Sequence, residues 1–298
     1  MGAGESNVGI EDFREIITAY LNSPANDNFM PAGPEPAFDQ ALTGLAAGND
    51  FLWSVFKDVV HPRHWTPLEA FQRAYPKTAV TADQLSVLAV VLPHTAATKQ
   101  AQRKETEFAC ERWTRNRYRA HPEVLEGLAR HLQARLAEKG IRSLNPEFLP
   151  QCSVSVGPKF GLASRWSHRH AAFTAGLGTF GLSDGLITRV GKAMRCISLI
   201  LDKPLPPSPR DYEDPYEYCL YHSSGMCGKC IKRCPAGAIS GAGHDKALCQ
   251  VYLNDKSVPH IAATWPDIAG SYACGLCQVS VPCENCVPPR KGGRASKA

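Results

Sequence analysis

Nine of the twelve cysteines in this 298-residue chain fall between Cys219 and Cys286, and their spacing is the strongest chemical signal in the sequence. The central run is Cys227-Gly-Lys-Cys230-Ile-Lys-Arg-Cys234-Pro235, a C-x2-C-x3-C-P pattern. Two cysteines separated by two residues on a tight turn can aim both thiolates at one metal centre, while the cysteine before the proline turns away to serve a second centre. Cys249, the pair Cys274 and Cys277, and the pair Cys283 and Cys286 follow, with Cys219 ahead of them all. This set predicts two [4Fe–4S] clusters between Cys219 and Cys286. A zinc site also uses C-x2-C pairs, but the gap between Cys277 and Cys283 is short for a knuckle, and the Cys-Pro step has no role there. Cys110, Cys152 and Cys196 stand apart and read as small buried apolar residues.

The rest of the composition narrows the class. Residues 1–12 carry no apolar run behind a basic front, and nothing approaches the ~18 apolar residues of a membrane helix. A cytoplasmic protein without a membrane partner is expected, where clustered cysteines are metal ligands rather than disulfides. The formal net charge of +5 is mild. Part of it lies in the tail Arg290, Lys291, Arg294 and Lys297, and no basic stripe interleaved with aromatics predicts a nucleic-acid surface. Lys229, Lys232 and Arg233 sit among the cysteines. They read as a solvated basic face, or as charges that offset a thiolate-ligated cluster and dock an acidic electron donor.

The elements that must hold these residues follow from periodicity. Ile10 to Leu21 has apolar residues at helical spacing, and Phe38 to Val60 reads as a second helical region, interrupted near Gly48. The chain between them, 22–36, reads as a loop. Pro67 to Tyr75 is a short helix with Thr66 as its N-cap and Pro67 in its first position. Leu85 to Leu92 is an apolar run that fits a buried strand. His121 to Lys139 is an amphipathic helix with Val124, Leu125, Leu128, Leu132 and Leu136 on one face and Gly140 as its stop. Cys152 to Val156 and Ala193 to Leu201 read as strands, and Ser164 to Ala175 as a helix. Alternating strands and helices over 85–201 predict an α/β or α+β domain. The proline-rich stretch from Asp202 to Asp214 reads as an extended linker.

One further motif precedes the cysteines. Gly176-Leu-Gly178-Thr-Phe-Gly181 matches G-x-G-x-x-G, but a dinucleotide site needs a strand before it, and here a helix precedes. The glycines instead end that helix and let the backbone approach a flat ligand or a neighbouring element. Arg165, Arg169 and His170 could face the phosphate or amide groups of such a cofactor. His168 and His170, two apart on a helix, share no face and form no joint metal site.

Together, the cysteine module, the run from Arg169 to Gly181 and the strand ending Leu201-Asp202 resemble epoxyqueuosine reductase and the corrinoid-dependent reductive dehalogenases, over about two thirds of the chain. The resemblance implies an oxidoreductase whose clusters feed single electrons to a bound cobalamin or to a substrate, with Arg169, His170, Gly176, Gly178 and Gly181 at the cofactor. It implies an electron donor such as a ferredoxin or flavodoxin, and a small-molecule or nucleoside substrate. The expected architecture is α+β: a helical region over 1–80, an α/β corrinoid-binding-like domain over 81–205, a bacterial ferredoxin-like two-cluster module over 206–289 and a disordered basic tail over 290–298. Cys234, Cys249, Cys274 and Cys277 follow the family spacing as one cluster's ligands. The other cluster departs from it, because Ser224 and Val281 stand where the family has cysteines; Cys219 and one of Cys283 or Cys286 are the expected substitutes beside Cys227 and Cys230. Leu162 stands where epoxyqueuosine reductase has its acidic residue, and leucine cannot donate a proton. No catalytic residue is assigned, and a non-catalytic ferredoxin-like carrier without a corrinoid is the alternative.

Overall fold

A computed structural model of the chain describes residues 8–23, 35–119, 124–152, 154–157 and 161–289. The basic tail at 290–298, the first residues of the 121–139 helix and most of the 22–36 loop lie outside them. In chain order the elements are α1 (Ile10–Asn22), β1 (Leu42–Ala47), α2 (Leu52–Val59), α3 (Pro67–Ala74), β2 (Ser86–Pro93), α4 (Ala96–Arg103), α5 (Glu111–Arg119) and α6 (Glu126–Glu138). They continue with β3 (Ser143–Leu144), β4 (Val154–Gly157), β5 (Gly161–Ser164), α7 (His168–Thr174), β6 (Gly178–Phe180), β7 (Leu186–Thr188) and β8 (Met194–Leu201). The cysteine-rich part holds α8 (Leu220–Ser224), α9 (Lys229–Arg233), β9 (Ile239–Ser240), β10 (Gly243–His244), α10 (Lys246–Tyr252) and α11 (Val258–Thr264).

The scaffold is one sheet in the order β1-β2-β8-β3, and every pairing is antiparallel. Its centre is β2, the apolar run read as a strand, which is buried along its whole length. Strand residues alternate between faces, and β2 serves two cores. Val87, Ala89 and Val91 join the core that includes α7, α2 and α3, whereas Leu88, Val90 and Leu92 join the core under α1 and α6. Burying each of these valines and leucines stabilises the fold by about 1.5–3 kcal/mol. The α3 start forms as the sequence predicts: Thr66 Oγ1 accepts from the Glu69 amide at 3.2 Å, and Glu69 accepts from the Thr66 amide at 2.8 Å.

Three expectations are corrected. Leu42–Ala47, inside the expected helical region 38–60, is strand β1, because pairing with β2 from Leu42↔Val91 to Ala47↔Ser86 outweighs the helix preference of its leucines and alanines. The helix expected to begin at Ser164 begins at His168; Ser164 ends β5, and Ser167 caps the helix by accepting from the His170 amide. The expected linker 202–214 is a strap tied across the sheet domain. The Ser208 amide donates to the Leu45 carbonyl at 2.8 Å, Leu45 returns a bond to Ser208 Oγ, and Arg210 pairs with Asp50 at 2.6 Å. The strap thus satisfies part of the β1 edge, which would otherwise be an open template for pairing.

Histidines are packed into this core as neutral rings. His64 lies 5.9 Å from Trp166 in a stacked arrangement and 5.7 Å from Phe56. Burial, helped by the Lys57 ammonium, pushes its pKa down to about 4. Burial also holds His94 and His170 well below the usual histidine value. The unfolded chain therefore binds protons that the folded chain refuses, so this contribution to stability is intact above pH 6.5 and lost as the pH falls toward 4. His64 alone should account for about 3 kcal/mol of that loss. Urea unfolding at pH 7 and pH 5 should show it, and His64→Phe should flatten the slope; an unchanged slope in that variant would assign the acid sensitivity elsewhere.

Candidate metal centre

Short elements and tight turns bring the cysteines together from both ends of the module. Cys219 is the N-cap of α8, which ends at Gly225 in the left-handed conformation. Gly228 opens α9, which carries Cys230 and is closed by Cys234. Asp245 caps α10, accepting from the Leu248 amide at 2.9 Å, and so fixes the helix that carries Cys249. A short 3-10 turn at Leu276–Gln278 carries Cys277.

One small cavity is lined by four thiols, those of Cys219, Cys227, Cys230 and Cys283, with Leu182, Ile187 and Val281 as apolar walls. Cys286 is exposed and does not line it. Ser224 is exposed, and its hydroxyl donates to the Leu220 carbonyl within α8 at 2.7 Å. Val281 reaches the same cavity but brings no donor atom. Burial pushes Cys283 up to about 11; Lys192 opposes the shift, and Cys219, Cys230 and Cys227 add to it.

Cys234, Cys249, Cys274 and Cys277 form a second group. Burial pushes Cys274 up to about 12 and Cys249 up to about 11, and in each case Cys277 and Cys234 raise it further by like-charge repulsion. Thiols this crowded resist ionisation in the protein alone, whereas a bound cation deprotonates a coordinating thiol outright. Both groups therefore fit a positively charged inorganic core. Among the described residues, no group of three or more His, Cys, Asp or Glu side chains is set to hold a single metal ion. A cubane, by contrast, gives each cysteine its own iron, so its sulfurs stand further apart than the ligands of one zinc.

Several residues that hold this arrangement carried no sequence signal. Lys192 is 3% exposed, and its ammonium donates to Ser183 Oγ at 2.7 Å. Burial alone would lower its pKa, yet Cys283, Cys277, Cys230 and Cys219 together hold it above the usual lysine value. It therefore feels thiols of both groups, and its amide donates to the Cys283 carbonyl at 2.9 Å. The buried Glu284 accepts from Arg103 at 2.8 and 3.0 Å and from the Ser280 amide at 2.8 Å, which fixes the turn bearing Cys283. Gln102 donates to the Cys274 carbonyl at 2.7 Å. The contacts of Lys192 with Cys283, of Glu284 with Arg103 and of Gln102 with Cys274 join residues remote in sequence, so no local spacing could reveal them.

Lys192 also lines a second cavity of about 320 Å³, with Arg117, Glu147, His168, Arg169 and Arg195. Arg169 is anchored by donating to the Asp184 carbonyl at 2.6 Å. His168 Nδ1 lies 2.7 Å from Ser198 Oγ, and its Nε2 lies 3.0 Å from Glu147. Burial, with repulsion from Arg117, lowers Arg195 to about 10. The other expected cofactor residues are elsewhere. His170 packs into the aromatic core, 4.7 Å from Phe56 and 4.6 Å from Phe180. Gly176 and Gly178 face the chain itself, where a Cβ would collide with the carbonyls of Pro209 and Ile187, and Gly181 abuts the Ile187 side chain. The close approach expected of these glycines is thus to neighbouring backbone and side chain.

No family model matches the chain. An epoxyqueuosine reductase of Francisella cf. novicida (strain Fx1) is 32% identical over 127 residues, 40% of this chain and 33% of that protein. The chain thus matches about a third of the length of this curated relative. A solved catabolic reductive dehalogenase superposes with a TM-score of 0.50 at 14% identity, covering 83% of this chain and 30% of that one. An epoxyqueuosine reductase solved with an epoxyqueuosine-modified tRNA-Tyr stem loop gives 0.49 at 18% identity, covering 92% and 64%. The fold is a mixed α and β one of the reductive dehalogenase kind. Over part of its length the chain is similar in sequence to epoxyqueuosine reductase, and its fold is similar to that of a reductive dehalogenase.

The turn between Cys274 and Cys277 depends on one contact. Gly275 has φ +71, and a Cβ there would lie within the Trp113 indole ring. Gly275→Ala adds left-handed strain of about 1–2 kcal/mol to the cost of displacing a buried tryptophan. It should lower the thermal midpoint of the protein. An alanine variant with unchanged melting would refute the contact.

Proposed function

We propose that this chain is an iron–sulfur oxidoreductase holding two [4Fe–4S] clusters, one on Cys219, Cys227, Cys230 and Cys283 and the other on Cys234, Cys249, Cys274 and Cys277. The observation that carries this reading is the cavity lined by Cys219, Cys227, Cys230 and Cys283 with the buried Lys192 in its wall, while Cys234, Cys249, Cys274 and Cys277 act on one another electrostatically. Residues 206–289 then act as a ferredoxin-like module against the domain of 81–205, whose sheet is completed by β1 from the N-terminal region. When bound, the clusters supply one-electron transfer at potentials set by charge, hydrogen bonding and exposure.

The chain's own residues have separable parts in this reaction. Lys192 offsets thiolate charge on one side and lines the 320 Å³ cavity on the other. Arg117, Arg169 and Arg195 orient the substrate there, and His168, between Ser198 and Glu147, can deliver a proton from Nε2. This supplies a proton donor in a chain whose Leu162 cannot act as one. In keeping with a relative named for epoxyqueuosine, the substrate is a modified nucleoside or a comparable small molecule, and the electron donor is a small acidic carrier attracted to Lys229 and Lys232. The cavity suits a substrate of that size. A corrinoid with its amide arms exceeds the cavity and would lie across its mouth, against Arg169. No helix among the described residues is long and apolar enough to cross a membrane.

Anaerobically reconstituted protein should hold about eight irons per chain. Cys286→Ser should leave that number unchanged and Cys283→Ser should reduce it by about half, as read by iron and sulfide analysis with EPR of the reduced protein. Equal loss in both variants would contradict the assignment of Cys283.

Adding cobalamin during reconstitution separates the enzyme from the carrier. A stoichiometric corrinoid that survives desalting, or turnover of an added substrate without one, supports the reductase. Electron transfer with neither supports the non-catalytic carrier, for which Leu162 speaks. In either case Lys192→Met should lower the reduction potentials, since it removes a buried positive charge beside the clusters.

A further inference from the structure

A different cavity, sharing no lining residue with the one at Arg169, opens between α1, the start of β1, α4 and the turn at 189–190. It measures about 670 Å³, in the range of a small-molecule site. Lys99 of α4 forms part of its wall and is 8% exposed. Among the described residues its ammonium has neither an ion-pair nor a hydrogen-bond partner. The Lys99 stem is packed in the wall, and an anion in the cavity would give its ammonium the partner it lacks. Arg189 also lines the cavity and is likewise unpaired among the described residues. Arg14 lines it too, donating to Thr43 Oγ1 at 3.1 Å and pairing with Glu11 at 2.5 Å. Asp39 is the carboxylate in the wall. Two unpaired cations from separate elements, with a third alongside, exceed that single negative charge.

We infer that this cavity is a binding site for a small multiply charged anion, a phosphate or diphosphate group carried by a metabolite, with Lys99 as its buried anchor and Arg189 as its outer clamp. Guanidinium and ammonium groups around one pocket suit phosphate oxygens, which accept several charge-assisted hydrogen bonds at once. The remaining wall, which includes Ile17, Leu42 and Val190, is apolar enough to take an organic portion of the ligand. The site neither uses nor requires the cysteines, so it stands independently of the redox function proposed above.

The test is a titration of the protein, as purified anaerobically, with pyrophosphate, followed by calorimetry and thermal melting, with sodium chloride at matched ionic strength as control. Saturable one-to-one binding with a melting point that rises to a plateau is expected. Lys99→Met should abolish that rise while melting close to the wild-type temperature without ligand, because methionine keeps the packed stem and removes only the charge. A lysine with only a structural role would give no such pairing of effects. Arg189→Ala, at an exposed position, should fold normally and weaken binding about tenfold or more. If Lys99→Met does not fold, Arg189→Ala decides alone. An unchanged affinity in that variant, a wild-type response no larger than the salt control, or binding of an RNA stem loop without binding of pyrophosphate would each overturn the proposal.

Discussion

Eight thiols are gathered in the cysteine-rich part, Cys219 and Cys230 buried and the other six half-buried, and the protein sets one positive charge among them, the ammonium of Lys192. The position of that lysine makes demands on the rest of the fold. It lies just ahead of β8, in the connection from β7, so the sheet domain rather than the cysteine-rich part delivers the charge. The connection is locked from the other side, where the Lys192 amide donates to the Cys283 carbonyl and Gly191 packs directly on the Glu284 backbone. A carrier built only to hold clusters would not need a counter-charge brought from a domain of this size. Here the same side chain forms a wall of both the thiol cavity and the arginine-lined one, so one placement ties the two together.

What could be read from the sequence was what depends on near neighbours. The β2 run, the Thr66 cap followed by Pro67 and the apolar face of α6 are local patterns, and each has the element it implies. The failures are of the opposite kind. Leu42–Ala47 has a composition that suits a helix and becomes a strand because β2 offers it an edge. The prolines after Asp202 suggest a free linker, yet Ser208 and Arg210 find partners on β1 and at Asp50. His170 follows Arg169 directly, and on a helix the two rings of contact diverge: the arginine reaches the cavity and the histidine enters the aromatic core.

The glycine motif shows how one spacing can satisfy several physical needs. Its G-x-G-x-x-G pattern suits a phosphate-binding turn only after a strand, and here it follows α7. Its first two glycines meet carbonyls of the strap and of β7, so the motif lets the proline-rich strap and the β6–β7 hairpin close over the end of α7. That closure supports the chain leading to Cys219. The motif therefore acts through packing, and of the residues expected near it Arg169 is the one that lines the cavity of about 320 Å³.

The proposed exchange of ligands is coherent as a pair. Ser224 and Val281, the two positions without thiols, both belong to the same cluster, and so do their proposed replacements. Cys219 and Ser224 stand at opposite ends of α8, so moving the ligand keeps the helix and changes which end meets the cavity. On the other side, Val281 still lines the cavity while Cys283, two residues on, supplies the sulfur. Either move alone would leave three thiols around an inorganic core that needs four, with an open iron beside Lys192. Both together restore the count without disturbing the Cys234 group. The side chain that fixes the second move is Glu284: paired with Arg103 and holding the Ser280 amide, it sets the turn that aims Cys283 inward and leaves Cys286 in solvent. A cysteine's place in the sequence made either residue a candidate; a buried carboxylate on the same turn separates them.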